Sequence, residues 1–221
     1  MREGTLYIVS TPIGNLEDIT LRAIRVLKEA DFIAAEDTRH TKILLDRYGI
    51  KKKMISFYSY SKGVKKDRII GLLKAGSSIA LVSDAGTPGI SDPGFSLIKG
   101  AIENAVPVEA IPGAAALITA LVLSGKPTNK FIFEGFLASK PGRRKKRLEF
   151  LKNEERTIVI YESPHRIVAL LCDMLNIIGD REIALARELT KKFEEIKRNR
   201  ISELLKHFSA VKPRGEFIVV I

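Results

Sequence analysis

The stretch SIALVSDAGTPGISDPG, residues 78–94, decides the fold. It opens with a short continuous apolar run, the pattern of a strand buried on both faces. It then enters a loop holding three Gly, two Pro and two Asp. The arrangement recurs on either side. LYIVSTPIGN (6–15) ends at Pro12 and Gly14, FIAAEDT (32–38) ends in acids, and VEAIPGAAA (108–116) ends in small residues. Between these runs lie segments with helical spacing. Ala23, Ile24, Leu27 and Ala30 follow a cap at Asp18 or Thr20, and a helix from about Thr38 to Tyr48 is stopped by Gly49. Further helices are expected near 65–74, 95–104 and 114–123, and a short strand near 54–57. Strand alternating with helix predicts right-handed crossovers and a mostly parallel sheet. Ligands bind outside the carboxyl ends of such strands, where loops 10–15, 83–94 and 111–116 leave backbone N–H and C=O groups uncovered.

SGKPTNK (124–130) has no periodicity and reads as a linker. Beyond it come a strand FIFEGF, a basic loop, a helix near 143–153, a strand TIVIYE and a helix near 166–178. A strand IALARE, a polar segment EEIKRNR, a helix near 201–208 and a closing strand EFIVVI end the sequence. The predicted class is α/β: a lobe over 1–123 with a mostly parallel sheet, a linker at 124–129, a second α/β lobe over 130–221, and a ligand cleft between the lobes.

Composition narrows the function classes. The 221 residues are 45% hydrophobic and 29% charged, enough for a core without staples. One cysteine, Cys172, excludes a disulfide framework and a Cys-rich zinc site; in LLCDML it is expected to pack in the core. No apolar run has the roughly 20 residues of a membrane span. MREGTLYIVSTP has too short an apolar part and no small-residue cleavage site for a signal peptide, so the expected location is the cytoplasm. The net charge is +11, with 16 bases against 13 acids in 1–120 and 21 against 13 in 121–221. A positive field concentrated in one half suits a polyanion such as nucleic acid, or reflects only a Lys-rich proteome.

No G-x-G-x-x-G follows the first strand, and Gly125-Lys126 has Pro127 after it and Ala120 where a P-loop needs its first Gly. His40, His165 and His207 are scattered without metal-type partners, so no metal site and no nucleophilic triad is expected.

STPIGNLEDIT, AAEDTRHTKILLDRYGI, SDAGTPGISDPG, IPGAAA, YESPHRI, RELTKKFEE and GEFIVVI occur in that order. With them the sequence resembles, over essentially its whole length, the RsmI-type ribosomal RNA ribose methyltransferases of the tetrapyrrole-methylase-like (class III) methyltransferases. EDTRHT, SDAGTPGISDPG and YESPHR carry the resemblance most specifically. It implies transfer of a methyl group from S-adenosylmethionine to the 2′-hydroxyl of a cytidine in the decoding region of small-subunit rRNA, by a homodimer. Members commonly carry a small helical extension beyond the strand equivalent to GEFIVVI; the sequence here ends at Ile221.

The resemblance further implies a cofactor held by Pro12, by Ser83, Asp84, Ala85, Gly86 and Thr87, by Ala114 and Ala115, and by Tyr161 and Ala186. Asp84 is the carboxylate best placed to attract a cation, or else caps its own loop. Transfer by in-line displacement asks the protein mainly for alignment. A ribose hydroxyl also needs a proton acceptor or a polarising group. Candidates are Glu36, Asp37, Glu162, Glu188 and Lys191, any of which could instead serve in ion pairs. Arg39, Arg166 and Arg187 are candidates for phosphate contacts. The run Lys140, Arg143, Arg144, Lys145, Lys146 and Arg147 reads as a mobile RNA clamp entering a helix, or as a solvated helix face. Tyr58 and Tyr60 could stack a flipped base, whereas Phe57 is expected in the core. A methylase of a tetrapyrrole or other small metabolite has no use for such a basic run. A non-catalytic RNA- or ribosome-binding protein has no use for the intact SDAGTPGISDPG loop.

Overall fold

The computed structural model describes residues 4–58 and 63–221 and divides into two compact units, Met1–Ala115 and Ala116–Ile221. In the first, β1 (Leu6–Val9), β2 (Phe32–Ala35), β3 (Lys53–Ser56), β4 (Ile79–Val82) and β5 (Val108–Ile111) form one sheet in the order β3-β2-β4-β1-β5. All its pairings are parallel. Alternate strand residues serve opposite faces, so the central runs are apolar throughout. Val9, Ile33, Ala35 and Val82 meet α1 (Leu21–Glu29) and α2 (Thr38–Arg47) through Ala23, Leu27 and Leu45. Leu6, Ile8, Ala34 and Leu81 meet α3 (Gly63–Lys74) and α4 (Phe95–Glu103) through Ile69, Leu73, Leu97 and Ala101. Phe57 joins this second core as expected. The anticipated stops hold: the Thr20 hydroxyl accepts from Ala23 N at 3.0 Å, and Gly49 takes the left-handed φ of 63° beyond α2.

The second unit begins with α5 (Ala116–Ser124). Its sheet contains β6 (Phe131–Phe136), β7 (Thr157–Glu162), β8 (Glu182–Arg187), β9 (Glu195–Arg200) and β10 (Phe217–Val220), ordered β6-β7-β10-β8-β9. Only β6 and β7 pair in parallel; β10 runs antiparallel to both β7 and β8, and β9 antiparallel to β8. One face is covered by α6 (Pro141–Leu151), α7 (Ile167–Ile178) and α8 (Ile201–Ala210), whose Leu148, Leu170 and Phe208 share a core with Ile160, Leu185 and Phe217. The other face packs against α5.

Three sequence expectations change here. The boundary lies at 115/116, before the expected 123/124, because α5 packs on β8, β9 and β10. SGKPTNK is therefore a turn from helix to strand within the second unit. The polar EEIKRNR contains an edge strand, β9, whose sequence is polar because it pairs on one side only. Cys172 is exposed on α7, turned away from the core that Leu170, Leu171 and Met174 enter.

Candidate functional site

β1, β4, β2 and β5 are parallel neighbours, so the loops after them emerge at one sheet edge. β1 and β4 are adjacent, and their outgoing helices α1 and α4 pack on opposite faces, the arrangement that opens a crevice at a carboxyl edge. Loops 10–15 and 83–94 are stitched together by an antiparallel bridge: Thr11 N donates to Gly86 O at 2.9 Å and Gly86 N to Thr11 O at 3.0 Å. Gly86 closes it at a φ of 73°, a conformation that side chains rarely adopt. The Ser10 and Thr87 hydroxyls lie 2.8 Å apart, and Thr11 Oγ1 donates to Ser83 O at 3.3 Å. Loop 111–116 fits against loop 10–15 at Gly113, where an added Cβ would stand 2.9 Å from Ser10 Cβ. Of the expected cofactor residues, Pro12, Ser83–Thr87, Ala114 and Ala115 thus share one edge. Small side chains there leave room beside the backbone for a planar ligand, which fits a nucleoside.

The acids after β2 join the same edge. Asp37 N donates to Asp84 Oδ1 at 3.1 Å, and Asp84 N donates to Glu36 Oε2 at 3.3 Å. Asp84 therefore ties two loops together. Asp37 caps α2, accepting from Arg39 N at 2.8 Å and pairing with the Arg39 guanidinium at 2.8 Å. The Arg39 hydrogen bond and charge hold its carboxyl down at about 2, which makes it a weak base. Glu36 is pushed the other way, raised by burial and then by the Asp84, Asp92 and Asp37 carboxylates, against the lowering hydrogen bond from Asp84 N. Two adjacent carboxyls are thereby driven apart, and Glu36 is the better proton acceptor.

A pH effect follows. Between the ordinary value of 4.5 and the raised value, the folded chain binds the Glu36 proton more tightly than the unfolded chain. Stability from this group is full below that interval and is lost as pH rises through it. Glu36→Gln is expected to flatten that part of the stability curve in urea unfolding from pH 4 to 7. An unchanged slope would contradict the burial of the charge.

The second unit places its candidates differently. Tyr161 stacks edge-on against Phe133 and Phe136, with centroids at 4.9 and 5.6 Å. Tyr161, Ile218 and Ala186 lie side by side across β7, β10 and β8, so they share one sheet face. Glu162 is fully buried, its carboxyl raised by that burial. Its Oε1 accepts from Ser163 N at 2.8 Å and lies 3.1 Å from Arg166 Nε, while Oε2 has no partner among the described residues. Arg166 reaches on to Leu137 O at 2.5 Å. This pair fastens the turn 163–166 to the end of β6. Glu188 and Lys191 pair with each other at 2.9 Å, and Arg187 pairs with Glu195 at 2.5 Å.

The basic run departs most from expectation. Lys140 onward is no mobile loop, since Pro141 opens α6 directly. Arg144 is 5% exposed and its guanidinium meets Asp173 at 2.6 Å, so it cannot contact RNA. Lys145 leans on the same carboxylate at 3.5 Å, and Arg147 grips Glu134 through two bonds of 2.7 and 2.6 Å. Lys140, Arg143 and Lys146 remain exposed and outside any ion pair among the described residues. Tyr58 is 44% exposed beneath Lys65; Tyr60 lies outside the described residues. Among the described residues no group of His, Cys, Asp and Glu could hold a metal ion, and no helix is long and apolar enough to cross a membrane.

Comparison with known proteins identifies the family. Residues 5–205 match the family described as Tetrapyrrole (Corrin/Porphyrin) Methylases. The chain is 50% identical over 218 residues to "Ribosomal RNA small subunit methyltransferase I" of Thermotoga maritima, covering 99% of this chain and 98% of that one. The protein of the same name from Halalkalibacterium halodurans is 49% identical over 219 residues, covering 99% and 76%. A solved structure, uroporphyrin-III C-methyl transferase from Thermus thermophilus complexed with S-adenyl homocysteine, superposes with a TM-score of 0.68 at 20% identity. It covers 98% of this chain and 97% of that one.

Proposed function

The chain belongs to the tetrapyrrole (corrin/porphyrin) methylase family and, within it, to the small-subunit rRNA methyltransferases I; from that premise we propose that it methylates the ribose 2′-hydroxyl of a cytidine in the decoding region of small-subunit rRNA, using S-adenosylmethionine. The observation that carries this is identity of about half the residues along essentially the full length of a relative bearing that name. S-adenosylmethionine supplies an electrophilic methyl group on a sulfonium.

The residues of this chain do the rest. Pro12, the stretch Ser83–Thr87, Ala114 and Ala115 form a cradle of backbone groups for the nucleoside, which the Thr11–Gly86 bridge holds rigid. Asp84 places its negative charge at the edge while bonding Asp37 N, which favours a cationic ligand. Glu36, with its raised pKa, accepts the hydroxyl proton. Alignment of oxygen, methyl carbon and sulfur is the main contribution to rate. Lys140, Arg143 and Lys146 contact the RNA backbone, as does Arg39, whose side chain is 90% exposed. The protein works in the cytoplasm as a homodimer. Labelled methyl transfer to small ribosomal subunits tests the assignment, and a chain that binds the cofactor yet labels no rRNA would contradict it.

A further inference from the structure

In the second unit β6, β7 and β8 point the same way, and β9 and β10 the opposite way. Their carboxyl ends therefore share an edge with the starts of β9 and β10. Four connections meet there: the entry to α6 at Lys140, the turn 163–166, the β8–β9 hairpin 188–194 and the segment 211–216. Lys140, Arg143, Lys192, Lys212 and Arg214 are exposed on these connections or at the start of α6, outside any ion pair among the described residues. The acids of the hairpin are occupied: Glu188 pairs with Lys191, Glu195 with Arg187, and the Glu194 carboxylate accepts from Thr190 N at 2.6 Å.

The hairpin is braced by buried, bonded and left-handed residues. Leu189 anchors it at 5% exposure. Lys191 N donates to Glu188 O and Glu194 N to Lys191 O, both at 3.0 Å. Glu188 and Thr190 are held left-handed, at φ of 51° and 63°, which is uncommon for a residue with a side chain and most so for β-branched Thr. The segment 211–216 is fitted to it. Gly215 has a φ of 75°, and a Cβ there would fall 2.2 Å from Glu188 Oε1. Arg187 Nη1 also donates to Arg214 O at 3.3 Å. This framework holds the Phe193 ring in water at 71% exposure, with the Lys192 ammonium 5.8 Å from its centroid. A strained, braced loop that displays an aromatic ring among unpaired cations has the two parts of a single-strand platform. The ring offers a face for any base, and the cations meet the phosphates.

We propose that this edge binds single-stranded RNA: Phe193 stacks on an unpaired base, and Lys192, Lys212 and Arg214, with Lys140 and Arg143, hold the flanking phosphates. The proposal rests on the rRNA assignment above. It places the platform at the strand end of the second unit that carries Ala186.

The test uses the full chain, a fluorescent single-stranded oligoribonucleotide of small-subunit decoding sequence, and S-adenosylhomocysteine as a probe of the intact fold. Phe193→Ala is expected to weaken RNA binding about five- to a hundredfold, the loss of one base–aromatic stack, with an unchanged salt slope. Phe193→Trp restores affinity. Lys192→Ala/Lys212→Ala/Arg214→Ala is expected to flatten the log K against log salt slope by about 2 units. Both sets keep wild-type affinity for S-adenosylhomocysteine. Phe193→Ala binding RNA within twofold of the wild type overturns the platform, as does loss of S-adenosylhomocysteine binding in that variant. If the wild type methylates small subunits while Phe193→Ala keeps a wild-type KM, the platform alone fails. A wild type that methylates no rRNA fails the assignment beneath it.

Discussion

Replacing Asp173 by Ala is expected to destabilise the second unit by about 3–5 kcal/mol, the usual consequence of stranding a buried charge. Arg144 and Asp173 are 6% and 8% exposed as side chains, and the guanidinium gives the carboxylate bonds of 2.7 Å from Nε and 2.6 Å from Nη2. Removing the acid leaves the guanidinium desolvated, with the buried Glu162 as a neighbouring charge. It also releases Lys145, the carboxylate's other partner. Removing both charges is a different perturbation. Arg144→Met/Asp173→Leu fills the same space without an unpaired ion, and is expected to fall within about 1–2 kcal/mol of the wild type or above it. Urea unfolding of the three proteins measures this. A single variant as stable as the wild type would mean that water reaches Arg144. The result also guards the interpretation of RNA-binding variants, because loss of methylation on truncating Arg144 would reflect unfolding of α6 and α7 from each other.

Gly113→Val is expected to abolish measurable cofactor binding. The loop after β5 approaches the loop after β1 so closely that even a Cβ lies 2.9 Å from Ser10 Cβ and 3.4 Å from Ser10 O. Neither neighbour is a flexible side-chain end, so the two loops must separate. Such overpacking costs about 1–3 kcal/mol of stability. The larger effect falls on the site, because Ser10 is tied to Thr87 and Thr11 to Gly86. Moving one loop displaces the other wall of the cradle. An affinity loss of at least about a hundredfold, roughly 2.7 kcal/mol, is expected by calorimetry with S-adenosylmethionine, and Gly113→Ala is expected to lie between. Gly113→Val with wild-type affinity would place the cofactor elsewhere than on this edge.

The first unit was legible because its signals are local. Thr20 before a helical repeat, Gly49 after one, and apolar runs ending in Gly and Pro each announce an element within a few residues. The second unit hid what depends on distant partners. Arg144 sits in a run of bases that reads as surface, and only Asp173, on the next helix, reveals it as interior. In the first unit, too, the tie between Asp84 and Asp37 spans 47 residues and leaves no periodic trace. SGKPTNK has every mark of a linker, yet the units divide at Ala115/Ala116, in a loop that reads from sequence as a ligand loop of the first lobe. β9 lacked an apolar face because an edge strand needs little of one. Phe193 stood in KKFEE without apolar neighbours at strand or helix spacing, so its place at a braced hairpin tip emerged only with the left-handed Glu188 and Thr190.

The most direct measurement is to incubate the protein with S-adenosylmethionine carrying a labelled methyl group and, separately, with assembled small subunits, free small-subunit rRNA and a tetrapyrrole, then to digest the RNA and locate the label by mass spectrometry. The expected result is one labelled ribose 2′-oxygen, on a cytidine of the decoding region, with transfer unaffected by a chelator and no label in the tetrapyrrole. Label on a base, or transfer to the tetrapyrrole with none to either RNA, would contradict it.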